Sequence, residues 1–256
     1  MKQWKALLFD CDGVLAETER DGHRVAYNRA MKELGIDGYW DLDEYERLVR
    51  VFGGKERLRS YFGQDSAKYP PDHYNDELIR QIYERKVRIF NQLIEDGELP
   101  GRSGVRRLVH AAHEAGLLTF VCTASHKSSV SLLLTHDFGR ECLAEFTELF
   151  CGDIVTRKKP APDIYMLAAE RYRLDPADCL VIEDSGNGLL AARGAGRHCL
   201  ITPSFYSCGE DFSQADAIVS ALGDPGGEES EFLRTPVSAG DRKYVDLSYL
   251  KELVER

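Results

Sequence analysis

Two aspartates, Asp10 and Asp12, stand directly after an apolar run near the start of the chain and are followed by Gly13. An apolar run of this length indicates a buried strand. A strand that ends in Asp-x-Asp-Gly places two carboxylates at its carboxyl end, which is where open α/β sheets bind ligands. Aspartate and glycine are also common in turns, so this stretch alone also fits an ordinary strand-to-turn junction.

Three more groups of polar residues follow apolar segments farther along the chain. They are Thr123 with Ala124, Lys159 in a Lys-Pro-Ala-Pro-Asp stretch, and the pair Glu183 and Asp184. The carboxyl ends of parallel strands lie at the same edge of a sheet, so we expect the four groups to converge there.

These residue types favour one chemistry. Packed carboxylates repel each other, so a divalent cation is the natural reason to gather them, and hard oxygen ligands select Mg²⁺. A lysine and a hydroxyl suit a phosphoryl group, as a point charge and a neutral donor. A second aspartate two residues from the first can donate or accept a proton while the first attacks phosphorus.

The elements that must position these residues alternate between strand and helix from about Gly101 onward. Strands are predicted at 117–122, 149–154, 179–182, 199–202 and 217–219, and helices at 105–115, 128–134, 163–173 and 188–195. Such alternation predicts an α/β protein with a parallel, Rossmann-like sheet that has helices on both faces. Residues 223–240 are predicted to form a loop.

A helical segment interrupts this pattern after the first strand. Residues from about 18 to 99 contain no convincing buried strand, and 75–94 have the apolar spacing of one long amphipathic helix. We therefore predict a core formed by residues 1–17 and 99–256, with a small all-helical cap at 18–98.

Composition limits the classes of partner and compartment. The 256 residues carry a net charge of −10 without a basic run, which argues against nucleic-acid and membrane binding but allows a small anionic substrate. We expect no signal peptide and no membrane span. The seven cysteines contain no Cys-x-x-Cys pair, so they suit buried thiols in a reducing compartment better than a zinc site. The expected location is the cytoplasm, or a plastid stroma after removal of a transit peptide, and the expected state a monomer or small homo-oligomer.

The four polar groups, taken in order, resemble the four motifs of the haloacid dehalogenase-like (HAD) hydrolase superfamily. The matching stretches are Asp10-Cys-Asp12-Gly-Val-Leu, Thr123, Lys159-Pro-Ala-Pro-Asp and Val-Ile-Glu183-Asp184-Ser-x-x-Gly188. The resemblance covers nearly the whole chain. It implies the HAD fold, with the helical insertion similar to the small cap of the phosphatase and β-phosphoglucomutase branch.

The resemblance also implies roles for these residues. Asp10 resembles the nucleophile that forms an aspartyl-phosphate, and Asp12 resembles the general acid/base. Thr123, Ala124 and Lys159 resemble the phosphate-binding residues, and Asp10, Asp12, Glu183 and Asp184 the Mg²⁺ site. The true dehalogenases of the superfamily lack an aspartate equivalent to Asp12, so the resemblance implies phosphatase chemistry.

A finer resemblance points to the CbbY branch of this superfamily. The stretches that carry it are 16–28, 53–57 and 201–204. The branch is known for dephosphorylating xylulose-1,5-bisphosphate, a misfire product that inhibits Rubisco, so the implied substrate is a phosphorylated sugar with two anionic ends. Gly54 with Lys55 or Arg57 is the candidate second phosphate site, and Glu17 and His23 are further candidates for contacting the sugar.

Other interpretations stay open. A β-phosphoglucomutase-like phosphomutase would share every core residue, and a catalytically silent binding module would share the fold. Several candidates also have structural explanations: Glu183 as a helix N-terminal acid, His23 and Arg57 as packing or surface residues, Glu17 as a solvated charge, and Ser125 as an extension of the strand-end turn.

Overall fold

The computed structural model describes residues 4–51, 53–64, 68, 73–152 and 154–256. The chain divides into two compact units, Met1–Glu17 with Pro100–Arg256, and Thr18–Leu99. We call these the core unit and the helical unit. Leu99, which the sequence analysis placed in the core, belongs to the helical unit, where its buried side chain lies beside Gly22.

The strands of the core unit form a single sheet. They are β1 (Ala6–Phe9), β2 (Leu118–Thr123), β3 (Glu148–Cys151), β4 (Cys179–Glu183), β5 (His198–Ile201), β6 (Ala217–Val219) and β7 (Phe232–Arg234). Their order is β3-β2-β1-β4-β5-β6-β7, and every neighbouring pair is parallel except β6 and β7. The expected α/β fold with a mostly parallel sheet is confirmed.

In the core unit helices follow the strands as far as β5, and every regular element among the described residues of the helical unit is helical. In chain order they are α1 (Arg24–Glu33), α2 (Leu42–Val49), α3 (Gly54–Gly63), α4 (Asp76–Glu95), α5 (Val105–Glu114), α6 (Lys127–Leu133), α7 (Gly139–Glu145), α8 (Asp163–Tyr172), α9 (Gly186–Gly194) and α10 (Leu247–Val254). Short helical turns occur at Thr18–His23, Leu134–Phe138 and Pro176–Asp178. No helix among the described residues is both long and apolar enough to cross a membrane.

Helices cover both faces of the sheet. On one face α8 and α9 pack on alternate strand residues, including Leu8, Phe120 and Val181. Since side chains alternate along a strand, the residues between these face the opposite side, and α5 and α10 contact β2 and β4. All residues of β1 and β4 are buried, as expected for central parallel strands covered on both faces. This burial anchors the strand ends that carry Asp10 and Glu183.

Two elements near the end of the chain were not predicted. β7 lies within residues 223–240, where the sequence predicts a loop, and α10 follows it. β7 has three residues and pairs only at the sheet edge, so its sequence carries too little alternation to predict a strand. The predicted strand 149–154 ends at Cys151, and its residue 153 lies outside the described residues.

Inside the helical unit, an ion pair between a buried arginine and a partly exposed glutamate joins separate segments. Arg57 of α3 is 7% exposed, and its guanidinium lies 3.1 Å from a Glu19 carboxylate oxygen. The Tyr45 hydroxyl of α2 donates to the same carboxylate and accepts from Arg57. Burial opposes the charged form of Glu19, but Arg57, His23 and these hydrogen bonds outweigh it and lower the pKa of Glu19 to about 2.

This pair predicts an acid-sensitive helical unit. The folded-state pKa of Glu19 lies below its ordinary value of 4.5, so the stabilisation is present above about pH 4.5 and is lost as the pH falls toward 2. Glu19→Gln should lower the free energy of unfolding at pH 7 by about 3 kcal/mol and weaken its decline between pH 5 and 2. Urea unfolding followed by circular dichroism at several pH values measures both effects.

A surface ion pair gives the matched control. Glu77 pairs with Arg80 on α4 at 2.6 Å, and its side chain is 57% exposed. Because solvent screens such pairs, Glu77→Gln should change the free energy of unfolding far less than Glu19→Gln does. Equal losses of unfolding free energy in the two variants would contradict a special role for the pair of Glu19 and Arg57.

Candidate active site

Lys159 joins the ends of two neighbouring strands. It lies between β3 and α8, and its Nζ donates to Asp10 Oδ1 and Glu183 Oε1, each at 2.6 Å, and to the Cys122 carbonyl at 3.0 Å. Burial lowers the pKa of Lys159, but the two carboxylates outweigh burial and hold that pKa well above its usual value. The ammonium is therefore charged and fixes the separation of two acidic side chains from different strands.

Glu183 is held at both of its oxygens. Oε1 accepts from Lys159 and from the Tyr165 hydroxyl at 2.7 Å. Oε2 accepts from the backbone N–H of Asp184 at 3.0 Å and from Ser185. This carboxylate lies at the amino end of α9, where the helix dipole favours negative charge. A Cβ at Gly188 would lie 1.9 Å from the Glu183 carboxyl carbon, so only glycine fits this position.

Three buried carboxylates form a potential cation site. Asp10, Glu183 and Asp184 each present an oxygen, and these oxygens lie within 4.8 Å of one another. Burial raises the pKa of Asp10 to about 7, opposed by Lys159 and reinforced by Glu183 and Asp12. Burial together with Glu183 and Asp10 also raises the pKa of Asp184 well above its usual range. An oxygen-only set whose negative charges repel one another fits a hard divalent cation.

Asp12 and Thr123 belong to one hydrogen-bonded chain. Ser125 Oγ donates to Asp12 Oδ2 at 2.5 Å, and the Ser125 backbone N–H donates to Thr123 Oγ1 at 3.0 Å. Ala124 is exposed between these two residues. Ser125 therefore orients both a candidate acid/base and a candidate phosphate-binding hydroxyl, a contact that the sequence analysis missed although the Thr-x-Ser spacing was visible.

Glu17 lies against the segment that follows β5. Its two carboxylate oxygens each lie 3.3 Å from the backbone nitrogen of Phe205, which donates to them. Ser204 Oγ in the same segment donates to Asp184 Oδ2 at 2.5 Å. Residues 201–204 carry part of the family resemblance, but the sequence predicts no site residue in this segment.

The remaining candidates lie in the helical unit, and their contacts are given within that unit alone. Arg57 is engaged by Glu19 and Tyr45 as described above, and the His23 ring packs on Phe90 with centroids 4.2 Å apart. A Cβ at Gly54 would lie 2.4 Å from the Tyr27 hydroxyl oxygen, so packing already requires glycine there. Lys55 Nζ lies 5.4 Å from the centre of the Tyr83 ring. The substrate roles of these residues stay predictions.

The cysteines form no disulfide, and none of them belongs to the carboxylate cluster. All seven are free thiols, six of them buried and Cys208 exposed. Burial, together with Asp12 and Asp10, raises the pKa of Cys11 well above its usual value. A neutral, buried thiol between the two aspartates suits a packing role.

Comparisons with known proteins identify the family of the chain. A family model described as haloacid dehalogenase-like hydrolase matches residues 4–196. A CBBY-like protein of Arabidopsis thaliana is 44% identical over 223 residues, covering 86% of this chain and 70% of that protein. Protein CbbY of Cupriavidus necator is 37% identical over 247 residues, covering 96% and 95%.

Solved structures of related proteins also match this chain. The crystal structure of CbbY from Rhodobacter sphaeroides in complex with phosphate has a TM-score of 0.73 at 38% identity, covering 85% of this chain and 94% of that one. A mutant of that protein in complex with xylulose-1,5-bisphosphate has a TM-score of 0.76 at 37% identity, with the same coverage. The resemblance to the superfamily, inferred from the four motifs, and the finer resemblance to the CbbY branch, inferred from residues 16–28, 53–57 and 201–204, are both confirmed. The chain belongs to the haloacid dehalogenase-like hydrolases.

Proposed function

We propose that this hydrolase is a Mg²⁺-dependent phosphatase that hydrolyses a sugar bisphosphate, xylulose-1,5-bisphosphate above all, through an aspartyl-phosphate on Asp10. The observation that carries the proposal is the largely buried Lys159 ammonium between Asp10 and Glu183, with Asp184 close enough to share a cation. Such an arrangement suits a substrate whose reacting group is a dianionic phosphate.

In the proposed reaction, Asp10 attacks phosphorus and the bond from phosphorus to the sugar oxygen breaks. Asp12 donates a proton to the leaving oxygen. Water then attacks the phosphoryl group on Asp10 and gives a proton to Asp12, which releases phosphate and restores both carboxyl groups. Ser125 supports this exchange because its hydroxyl orients the Asp12 carboxylate.

The cation site would be formed by Asp10, Asp184 and the Asp12 backbone carbonyl, with Glu183 beside them. When bound, Mg²⁺ would neutralise charge on the phosphoryl group. Both oxygens of Glu183 already accept hydrogen bonds within the protein. We therefore assign Glu183 chiefly to holding Lys159 in place, and Thr123 and Lys159 to binding phosphate.

The identity of the sugar is proposed from the relatives. A CbbY structure with xylulose-1,5-bisphosphate shares 37% identity with this chain. In the helical unit, Arg57 is engaged by Glu19, so we propose Lys55 as the main cationic group for the second phosphate, and Arg57 as a structural residue.

A substrate panel tests the function. Phosphate release from xylulose-1,5-bisphosphate, ribulose-1,5-bisphosphate, fructose-1,6-bisphosphate and a sugar monophosphate should be measured with and without Mg²⁺. We expect the highest kcat/KM for xylulose-1,5-bisphosphate and negligible release without Mg²⁺. Absence of Mg²⁺-dependent release from every compound would contradict the proposal, and conversion of β-glucose-1-phosphate to glucose-6-phosphate would indicate a mutase instead.

Asp10→Asn should lower kcat by about 10³-fold or more, because the amide cannot act as the nucleophile, while substrate affinity stays within a few-fold. Steady-state kinetics and calorimetric titration with substrate measure the two quantities. Asp178→Asn is the matched control. Asp178 is also buried beside a lysine, with Lys5 Nζ at 2.6 Å, but it precedes β4 and so lies at the amino ends of the strands, opposite Asp10. Comparable kcat losses in both variants would exclude a specific role for Asp10.

Lys55→Ala should raise KM for the bisphosphate about tenfold or more and leave KM for a monophosphate nearly unchanged, because only the bisphosphate has a second anionic group. Lys32→Ala, which removes an exposed lysine from α1, should change neither value. An equal rise in KM for both substrates would show that Lys55 does not bind the distal phosphate.

A further inference from the structure

The segment of residues 202–207 that follows β5 holds Asp184 from one side. Ser204 Oγ donates to Asp184 Oδ2 at 2.5 Å, and Ser207 Oγ donates to the Asp184 backbone carbonyl at 2.7 Å. The two serines also lie within hydrogen-bond distance of each other, at 3.0 Å. The side chain and the main chain of this carboxylate residue are therefore both tied to a segment that carries no candidate catalytic group.

The turn that follows β1 holds Asp184 from another side. Gly13 has a φ of +80°, which favours glycine, and a Cβ there would lie 2.2 Å from Asp184 Oδ2. The same Cβ would lie 3.0 Å from the Ser204 Cβ. Asp184 Oδ2 thus sits where the turn carrying Asp12 and the segment after β5 meet, and a shift of either would move it.

Arg102 connects these two flanking segments. Its guanidinium donates to the Gly13 carbonyl, to the Thr202 carbonyl at 3.0 Å and to Thr202 Oγ1 at 2.9 Å. It also donates to the carbonyls of Pro203 at 3.2 Å and Ser220 at 3.3 Å. All five acceptors are neutral oxygens. One planar side chain therefore bridges the Asp12 turn and the start of the segment that contacts Asp184.

We propose that Arg102 is a positioning residue of the cation site: it fixes the Gly13 turn relative to segment 202–207 and thereby holds the Asp184 carboxylate in the orientation that Mg²⁺ requires. The inference rests on the proposed function, since it takes Asp184 as a ligand. Groups that orient a ligand in this way typically change metal affinity 10- to 100-fold when they are removed. A rigid guanidinium fork can meet acceptors on two segments at once, whereas a lysine ammonium is a point donor.

Arg107 offers a matched comparison within the same unit. Its guanidinium also donates to backbone carbonyls, those of Leu222 at 3.3 Å and Gly223 at 2.5 Å, and pairs with Asp224 at 3.2 Å. These acceptors belong to neither segment that flanks Asp184. Arg107→Lys therefore removes the same kind of bonds as Arg102→Lys without reaching the carboxylate.

The test is calorimetric titration of the full chain with Mg²⁺ in the absence of substrate, for the wild type and three variants. Arg102→Lys and Ser204→Ala should each raise the Mg²⁺ Kd about tenfold or more, and Arg107→Lys should change it less than twofold. Thermal unfolding of each variant shows whether the fold persists. In steady-state assays, Arg102→Lys should raise the Mg²⁺ concentration for half-maximal activity while KM for the sugar phosphate at saturating Mg²⁺ stays nearly constant.

The combined variant tests the connection itself. Both substitutions weaken the positioning of Asp184 by segment 202–207. The double variant Arg102→Lys with Ser204→Ala should therefore raise the Mg²⁺ Kd by less than the product of the two single effects. A Kd within twofold of wild type for Arg102→Lys, an equal rise for Arg107→Lys, or a fully multiplicative double variant would overturn the proposal. A wild type without Mg²⁺-dependent hydrolysis would instead overturn the proposed function, so the two failures are distinguishable.

Discussion

The largely buried ammonium of Lys159 is the constraint on which the site depends. A single charge taken out of water costs several kcal/mol unless opposite charges and hydrogen bonds replace the lost solvent. Lys159 meets this requirement with Asp10, Glu183 and the Cys122 carbonyl. These three partners lie on or directly after three adjacent strands, β1, β4 and β2. The parallel register of the sheet is therefore also what makes the burial of Lys159 possible.

The same interaction explains why the acidic residues around it are so closely packed. Glu183 would be costly in a fully buried position, but Lys159, Tyr165 and the amino end of α9 compensate its charge. Asp184, next in sequence, accepts a hydrogen bond from the neutral Ser204 hydroxyl, and burial with its acidic neighbours raises its pKa. The site therefore contains Glu183, whose charge the protein compensates and which supports the structure, and Asp184, whose charge a bound cation would stabilise.

The helical unit follows a different electrostatic principle. Its ion pair between the buried Arg57 and Glu19 is completed within the unit by Tyr45 and joins the turn before α1 to α2 and α3. Arg57, a candidate substrate ligand because it stands near Gly54 and Lys55 in sequence, is engaged by this carboxylate. The distinction depends on which carboxylate lies near the guanidinium in space, 38 residues away in sequence, and local spacing carries no information about that distance.

The sequence by itself determined the α/β class, most strands and helices of the core, and the residues that meet at the sheet edge. It could do so because buried parallel strands are continuous apolar runs, and because Asp10, Thr123, Lys159 and Asp184 stand at or just beyond the ends of such runs. Short edge elements such as β7 escaped prediction, since three residues contain too little periodicity. Only the tertiary structure decided how the site is held: Ser125 on Asp12, Ser204 on Asp184, and Arg102 between their two segments. These contacts join residues that lie 20 to 113 positions apart, and a hydrogen bond over such a separation follows from the packing of the whole unit rather than from any local pattern.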